Sequence, residues 1–225
     1  MSLPLEDAAV VKAAVADMGR QSDAVLATAK GWTMYVRVVS PGACSRCAIL
    51  AGVGEYTKPF LRHPACKCTS IPVEGSGPRP VPDGLFASPG DYFDSLPVEE
   101  QNRVFTNAGA QAIRDGADPI AVVNARRGAQ LRPGGLVEAR SRSRAPLGTT
   151  ADGTRIRMFT TSEGTSIRGA YGRAEYRRAQ EAAKAPVDRY RRTKSVRLMP
   201  ESIYEIADGD DDRAVALLKQ YGYIT

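Results

Sequence analysis

The sequence predicts an α+β protein in two unequal parts: a small N-terminal unit, and a mainly helical, arginine-rich C-terminal unit. Three observations lead there. Within the first 40 residues a helical period gives way to a strand-like alternation. All four cysteines and the only histidine fall between Cys44 and Cys68. A stretch rich in glycine and proline then separates this region from a series of capped helices.

Residues 5–30 carry Leu5, Ala8, Val11, Val15, Met18, Val25 and Leu26 near one face at helical spacing, which predicts an amphipathic helix ended by Gly31. In residues 32–39, apolar Trp32, Met34, Val36 and Val38 alternate with Thr33, Tyr35 and Arg37, the pattern of a half-buried strand. Pro41-Gly42 turns the chain into Cys44.

Residues 74–90 (EGSGPRPVPDGLFASPG) fit no regular element and read as a linker. The expected organisation is therefore a helix–strand unit over 1–73, a linker over 74–90 and a basic, mainly helical unit over 91–225. In the last part, Ser95 is placed to cap a helix that starts near Pro97 and runs, with Val98, Val104, Phe105 and Ala108 inward, to Gly116. Asp118-Pro119 starts a second helix, which Gly128 closes. Residues 129–172 read as loop or extended arm with one short strand near 155–160. Residues 173–192 read as a basic helix, and Pro200 and Asp208–Asp212 mark two further helix starts.

The Cys/His window supplies Cys44-Ser-Arg-Cys47 and His63-Pro-Ala-Cys66-Lys-Cys68. Thiolate and imidazole ligands so close together suit a tetrahedral zinc site, with Cys44, Cys47, His63, Cys66 and Cys68 as five candidates for four positions. Such a site is structural and closed, with Tyr56 or Phe60 available to pack over it. Buried free thiols, disulfides and a redox C-x-x-C pair are the competing readings. The redox pair lacks a surrounding βαβ pattern, and a reducing compartment favours metal over disulfide.

Net charge is +6, but it is unevenly spread: residues 126–192 hold 15 Arg and 1 Lys against 6 acids. Arg126, Arg127, Arg140, Arg142, Arg144, Arg173, Arg177, Arg178, Arg191 and Arg192 are the candidates for contact with nucleic acid or an acidic partner protein. Aromatic residues are sparse among them, which argues against a single-strand stacking platform. No apolar run approaches the ~20 residues that span a bilayer, and Met1–Arg20 lacks a signal-peptide layout.

Catalytic machinery is not expected. The lone histidine belongs to the cluster, which removes the base from a Ser-His-Asp or Cys-His arrangement, and no phosphate-binding G-x-x-x-x-G-K-[ST] loop occurs.

Several motifs resemble those of a known family. They are C-x-x-C followed by R-H-P-x-C-x-C and I-P-V, D-Y-F-D-S-L at 91–96, F-T-N-A-G-A-Q-A-I-R-D-G-A-D at 105–118, V-V-N-A-R-R-G at 122–128 and R-L-M-P-E-S-I-Y at 197–204. Over residues 32–225 the chain resembles the Mu F-like minor head (head morphogenesis) proteins of tailed bacteriophages, most nearly the actinobacteriophage minor capsid type. The resemblance implies a non-enzymatic virion component near the portal and inner capsid, made in the host cytoplasm. It implies major capsid or portal protein as partner, with packaged DNA facing the arginine-rich segment, and Cys44, Cys47, His63, Cys66 and Cys68 as the family's metal-like cluster. The alternatives are a capsid maturation protease and a zinc-containing nucleic-acid-binding protein. Relatives often carry a longer helical region before the strand than the roughly 30 residues seen in this sequence.

Overall fold

The computed structural model describes residues 5–58, 60, 66–75, 81–126, 130–132, 135–137, 147–149, 153–157, 159–161 and 197–225. It is α+β, with helices and a small three-stranded antiparallel sheet. The chain forms two compact units, Met1–Pro97 and Val98–Thr225.

In the first unit, helix α1 (Leu5–Ala29) precedes strand β1 (Met34–Val39), as the sequence predicts. Gly31 ends the helix at φ +69°, a conformation open to glycine without a Cβ penalty. The short helix α2 (Ser45–Ala48) follows, then β2 (Gly52–Glu55) and β3 (Cys68–Val73). β1 is central, antiparallel to β2 through Val36↔Val53 and to β3 through Val36↔Ile71 and Val39↔Cys68.

Opposed residues share a face, so the register sorts the sheet into two sides. Val36, Val38 and Val73 form an apolar core on one side, with Ile71, Val81, Leu85 and Ala87 packed against it. Tyr35, Arg37, Cys68 and Ser70 form the other side. β1 is thus buried on both faces, Tyr35 and Arg37 included, and not half-buried as its alternation suggested.

α1 also departs from expectation. Its apolar stripe faces away from the sheet: Val11, Val15, Met18, Val25 and Leu26 are exposed, while Arg20 and Ala27 are buried. The sheet face under α1 carries polar groups, and Arg20 meets them by donating from Nη1 to the Cys68 carbonyl at 3.0 Å.

The boundary between the units falls after Pro97 and not within 74–90. The described part of the expected linker, from residue 81 on, packs on the sheet: Phe86 exchanges backbone hydrogen bonds with Val39 at 2.9 Å. Helix α3 (Pro89–Asp94) then buries Tyr92, whose hydroxyl donates to the Ala43 carbonyl at 2.7 Å. Ser88 caps α3, whereas Ser95 closes its C-terminus by donating to the Tyr92 carbonyl at 2.7 Å; Ser95 is no N-cap.

In the second unit the single helix expected over 97–115 is two, α4 (Val98–Phe105) and α5 (Asn107–Arg114). They break at Thr106, whose φ of +65° no β-branched residue adopts without strain. α6 (Pro119–Ala125) is capped by Asp118 as expected, with Ile120 N–H donating to its carboxylate at 2.9 Å. α7 (Pro200–Ala207) and α8 (Asp211–Gln220) match the two C-terminal helix starts, and Asp210 caps α8. Ala112, Val122, Leu198, Ile203, Leu218 and Tyr223 make up the core.

Short strand pairs occupy part of the expected loop: β4 (Gln130–Arg132) with β5 (Gly135–Val137), and β6 (Leu147–Thr149) with β7 (Arg155–Arg157). β8 (Thr160–Thr161) pairs with β9 (Arg197–Leu198). The expected basic helix over 173–192 lies outside the described residues. Among the described residues, no helix is long and apolar enough to cross a membrane.

Candidate metal centre

Three chain segments converge below α1. Cys47 comes from α2, Cys66 from the approach to β3 and Cys68 from the first position of β3. Their sulfurs all lie within 4.8 Å of one another, and Cys66 Sγ and Cys68 Sγ are 3.2 Å apart. Ligands of a tetrahedral zinc with Zn–S bonds of ~2.3 Å stand about 3.8 Å apart. The three thiols are therefore close enough to bind one metal ion with small adjustments.

Local sequence explains the arrangement. Pro41-Gly42 reverses the chain after β1, and Ala43 N–H closes the turn on the Ser40 carbonyl at 3.1 Å. α2 then presents Cys47 inward, buried to 1% exposure. Cys68 faces the same way because it pairs with Val39 on the polar side of the sheet.

Cys44 stands at the N-cap of α2, exposed, with its thiol hydrogen-bonded to Cys47. It lies outside the group of three but beside it. His63 lies outside the described residues. Among the expected aromatic covers, Phe60 packs against Tyr35 at 5.6 Å between ring centroids and lies under the Arg37 guanidinium at 4.1 Å.

Two arginines that sequence reasoning did not assign to the site belong to it. Arg37, 4% exposed, donates from Nη2 to Cys68 Sγ at 3.0 Å. Arg20, 8% exposed, donates to the Cys68 carbonyl and pairs with Asp17 at 2.6 Å. Arg37 could be traced to the polar positions of the strand alternation, once the cysteines are placed on that face. Arg20 has no such signal, because it sits on the side of α1 opposite the apolar stripe.

The electrostatics follow from these contacts. Hydrogen bonds from Cys47 and Cys66, together with the charge and hydrogen bond of Arg37, hold the Cys68 thiol down at about 5, against the opposing effect of burial. Hydrogen bonding to Cys44 and Cys68, and burial, push the Cys47 thiol up. Burial, then hydrogen bonding to Cys68, pushes Cys66 up. Cys68 is thus the group readiest to be a thiolate, and thiolates are the ligands metals take. Three or four thiolates would outweigh the charge of one divalent ion, and the buried Arg37 guanidinium beside Cys68 Sγ would offset part of that excess.

Of the candidate arginines, Arg126 is buried inside the second unit. It donates to the Phe105 carbonyl and, at 2.7 Å, to Thr106 Oγ1, and stands 3.7 Å from Glu201. Its guanidinium is engaged within its own unit and does not face a partner. Arg127, Arg140, Arg142, Arg144, Arg173, Arg177, Arg178, Arg191 and Arg192 lie outside the described residues.

Comparison with known proteins finds no matching family model, no similar curated protein and no similar solved structure.

Proposed function

We propose that this chain is a structural, non-enzymatic minor head protein of a tailed bacteriophage, with one zinc ion stapling its N-terminal unit. The convergence of Cys47, Cys66 and Cys68 beside Arg37 carries the metal part of this reading. An all-sulfur set favours zinc over the hard cations. Cys44, adjacent to Cys47, and His63 are the two candidates for the fourth position. With Cys47 and Cys68 buried, such a site is closed and holds structure instead of activating water. The staple suits its place: the first unit has a thin core, and a metal linking α2 to β3 ties the chain on both sides of the 49–65 excursion.

The phage part rests on the motifs at 44–73, 91–128 and 197–204. On that reading the protein resides in the virion near the portal, is assembled in the host cytoplasm, and binds capsid or portal subunits. The arginine-rich segment faces packaged DNA.

Purified particles of the encoding phage test it directly. Quantitative mass spectrometry should find the chain in intact heads at a fixed copy number, with zinc in proportion. A chain absent from particles overturns the reading.

A further inference from the structure

The sulfurs of Cys66 and Cys68 stand 3.2 Å apart, hydrogen-bonded to each other, where a disulfide needs about 2.05 Å. The thiols of the group differ in access and in restraint. Cys66 is partly exposed, whereas Cys68 and Cys47 are 6% and 1% exposed. Cys68 opens the β1–β3 register opposite Val39, and Arg37 holds its sulfur at 3.0 Å. Cys66 stands ahead of that register, so turning its side chain toward Cys68 breaks no ladder hydrogen bond. Cys47 reaches the group from α2, a separate segment.

We propose that hydrogen peroxide oxidises Cys66 and Cys68 to a disulfide, and that this bond, reversible by thiols, is a switch for the metal centre. The Cys66 sulfur attacks the peroxide: an S–O bond forms, the O–O bond breaks, and the leaving oxygen departs as water with the Cys66 thiol proton. The Cys68 sulfur then attacks the Cys66 sulfur: an S–S bond forms, the S–O bond breaks, and a second water leaves with the Cys68 proton. The two thiols together lose two electrons and two protons, and one peroxide becomes two waters. Where zinc holds the sulfurs, the released ion takes the place of the thiol protons, which solvent then supplies.

The effect on the fold follows from sequence separation. A metal held by Cys47, Cys66 and Cys68 closes a loop of about 20 residues between α2 and β3. The disulfide spans only Lys67 and takes two of those three ligands. A cross-link constrains the unfolded chain more as the loop it closes lengthens, so this bond does not replace the staple it removes. A ring this small is also strained, and strained disulfides are readily reduced. Oxidation thus loosens the first unit, and reduction restores it. The release of metal rests on the zinc reading above; the disulfide itself does not.

Peptide mapping after a small excess of hydrogen peroxide tests the bond, in zinc-loaded and chelator-treated samples alike. Trypsin cuts after Lys67, so the bond shows as a linkage of two peptides that otherwise separate. We expect the Cys66–Cys68 linkage in both samples and none in Cys66→Ser. Cys44 stands outside the group of three, so Cys44→Ser should form the bond as the wild type does. In the loaded sample a chromophoric indicator should record about one zinc freed per disulfide. The melting temperature should fall to that of the chelated chain, and dithiothreitol should reverse both changes. Linkage to Cys44 or Cys47 instead, or oxygenated cysteines without linkage, overturns the proposal. A disulfide that forms while zinc stays bound overturns the switch. A chain that binds no zinc overturns the zinc reading and the switch with it, and the mapping then decides the disulfide by itself.

Discussion

The Arg37 guanidinium donates to Cys68 Sγ at 3.0 Å from within the sheet. It links the central strand to the thiol cluster and compensates charge in a place water scarcely reaches. Partners of this kind orient metal ligands, and their loss typically costs about 10–100-fold in affinity. Arg37→Met keeps much of the aliphatic stem but removes the donor. We expect zinc affinity to fall by about that factor in competition with a chromophoric chelator, with the secondary structure intact.

The cysteines should respond unequally. Cys47→Ser, Cys66→Ser and Cys68→Ser each remove a member of the central group and should abolish stoichiometric metal binding. Cys44→Ser and His63→Ala compare the two candidates for the fourth position. The one that supplies the ligand should weaken binding by orders of magnitude and the other only slightly. Isothermal titration of the apoprotein with zinc reads both.

Two glycine-to-alanine substitutions should have opposite signs. In α1, a Cβ at Gly19 meets nothing within 4 Å among the described residues, so Gly19→Ala should stabilise by about 0.5–1 kcal/mol through helix propensity. In α5, a Cβ at Gly109 would overlap the Arg126 guanidinium. That group is held by the Phe105 carbonyl, Thr106 and Glu201, so it cannot simply swing away. Gly109→Ala should therefore destabilise the second unit by roughly 2–3 kcal/mol, the clash outweighing propensity. Urea unfolding of each variant gives the sign.

Tyr204 predicts a pH effect. Its hydroxyl donates to Asp115, and burial, then that carboxylate, raises its pKa above the usual tyrosine value. A group that holds its proton more tightly when folded stabilises the fold fully below its unfolded pKa of about 10, and the benefit is lost as pH rises past it. Wild type should be more stable than Tyr204→Phe by about 1 kcal/mol at pH 7. The gap should close above pH 10 in denaturation measured across that range.

Much of this was legible in the sequence, and the rest was hidden for identifiable reasons. α1, β1, the Asp118 cap and the Pro200 helix follow from local periodicity and capping chemistry. β2 and β3 did not register: Gly52-Val-Gly-Glu55 has little β-branched content, and Pro72 reads as a breaker. Pro72 is tolerated because β3 is an edge strand of the three-stranded sheet. The orientation of α1 was misleading, because amphipathicity says which face is apolar but not what covers it. The break at Thr106 depends on contacts with Arg126 and Glu201, 20 and 95 residues away, which no local pattern encodes. The cysteine window was visible as a composition signal. Its charge balance was not, since Arg20 and Arg37 reach it only through the fold.

Metal analysis of the purified 225-residue chain, paired with thermal unfolding before and after chelation, tests the central claim most directly. The account predicts about one zinc per chain and a first unit that melts at lower temperature once the metal is removed. A protein that contains no metal, folds stably and melts unchanged in chelator would contradict it.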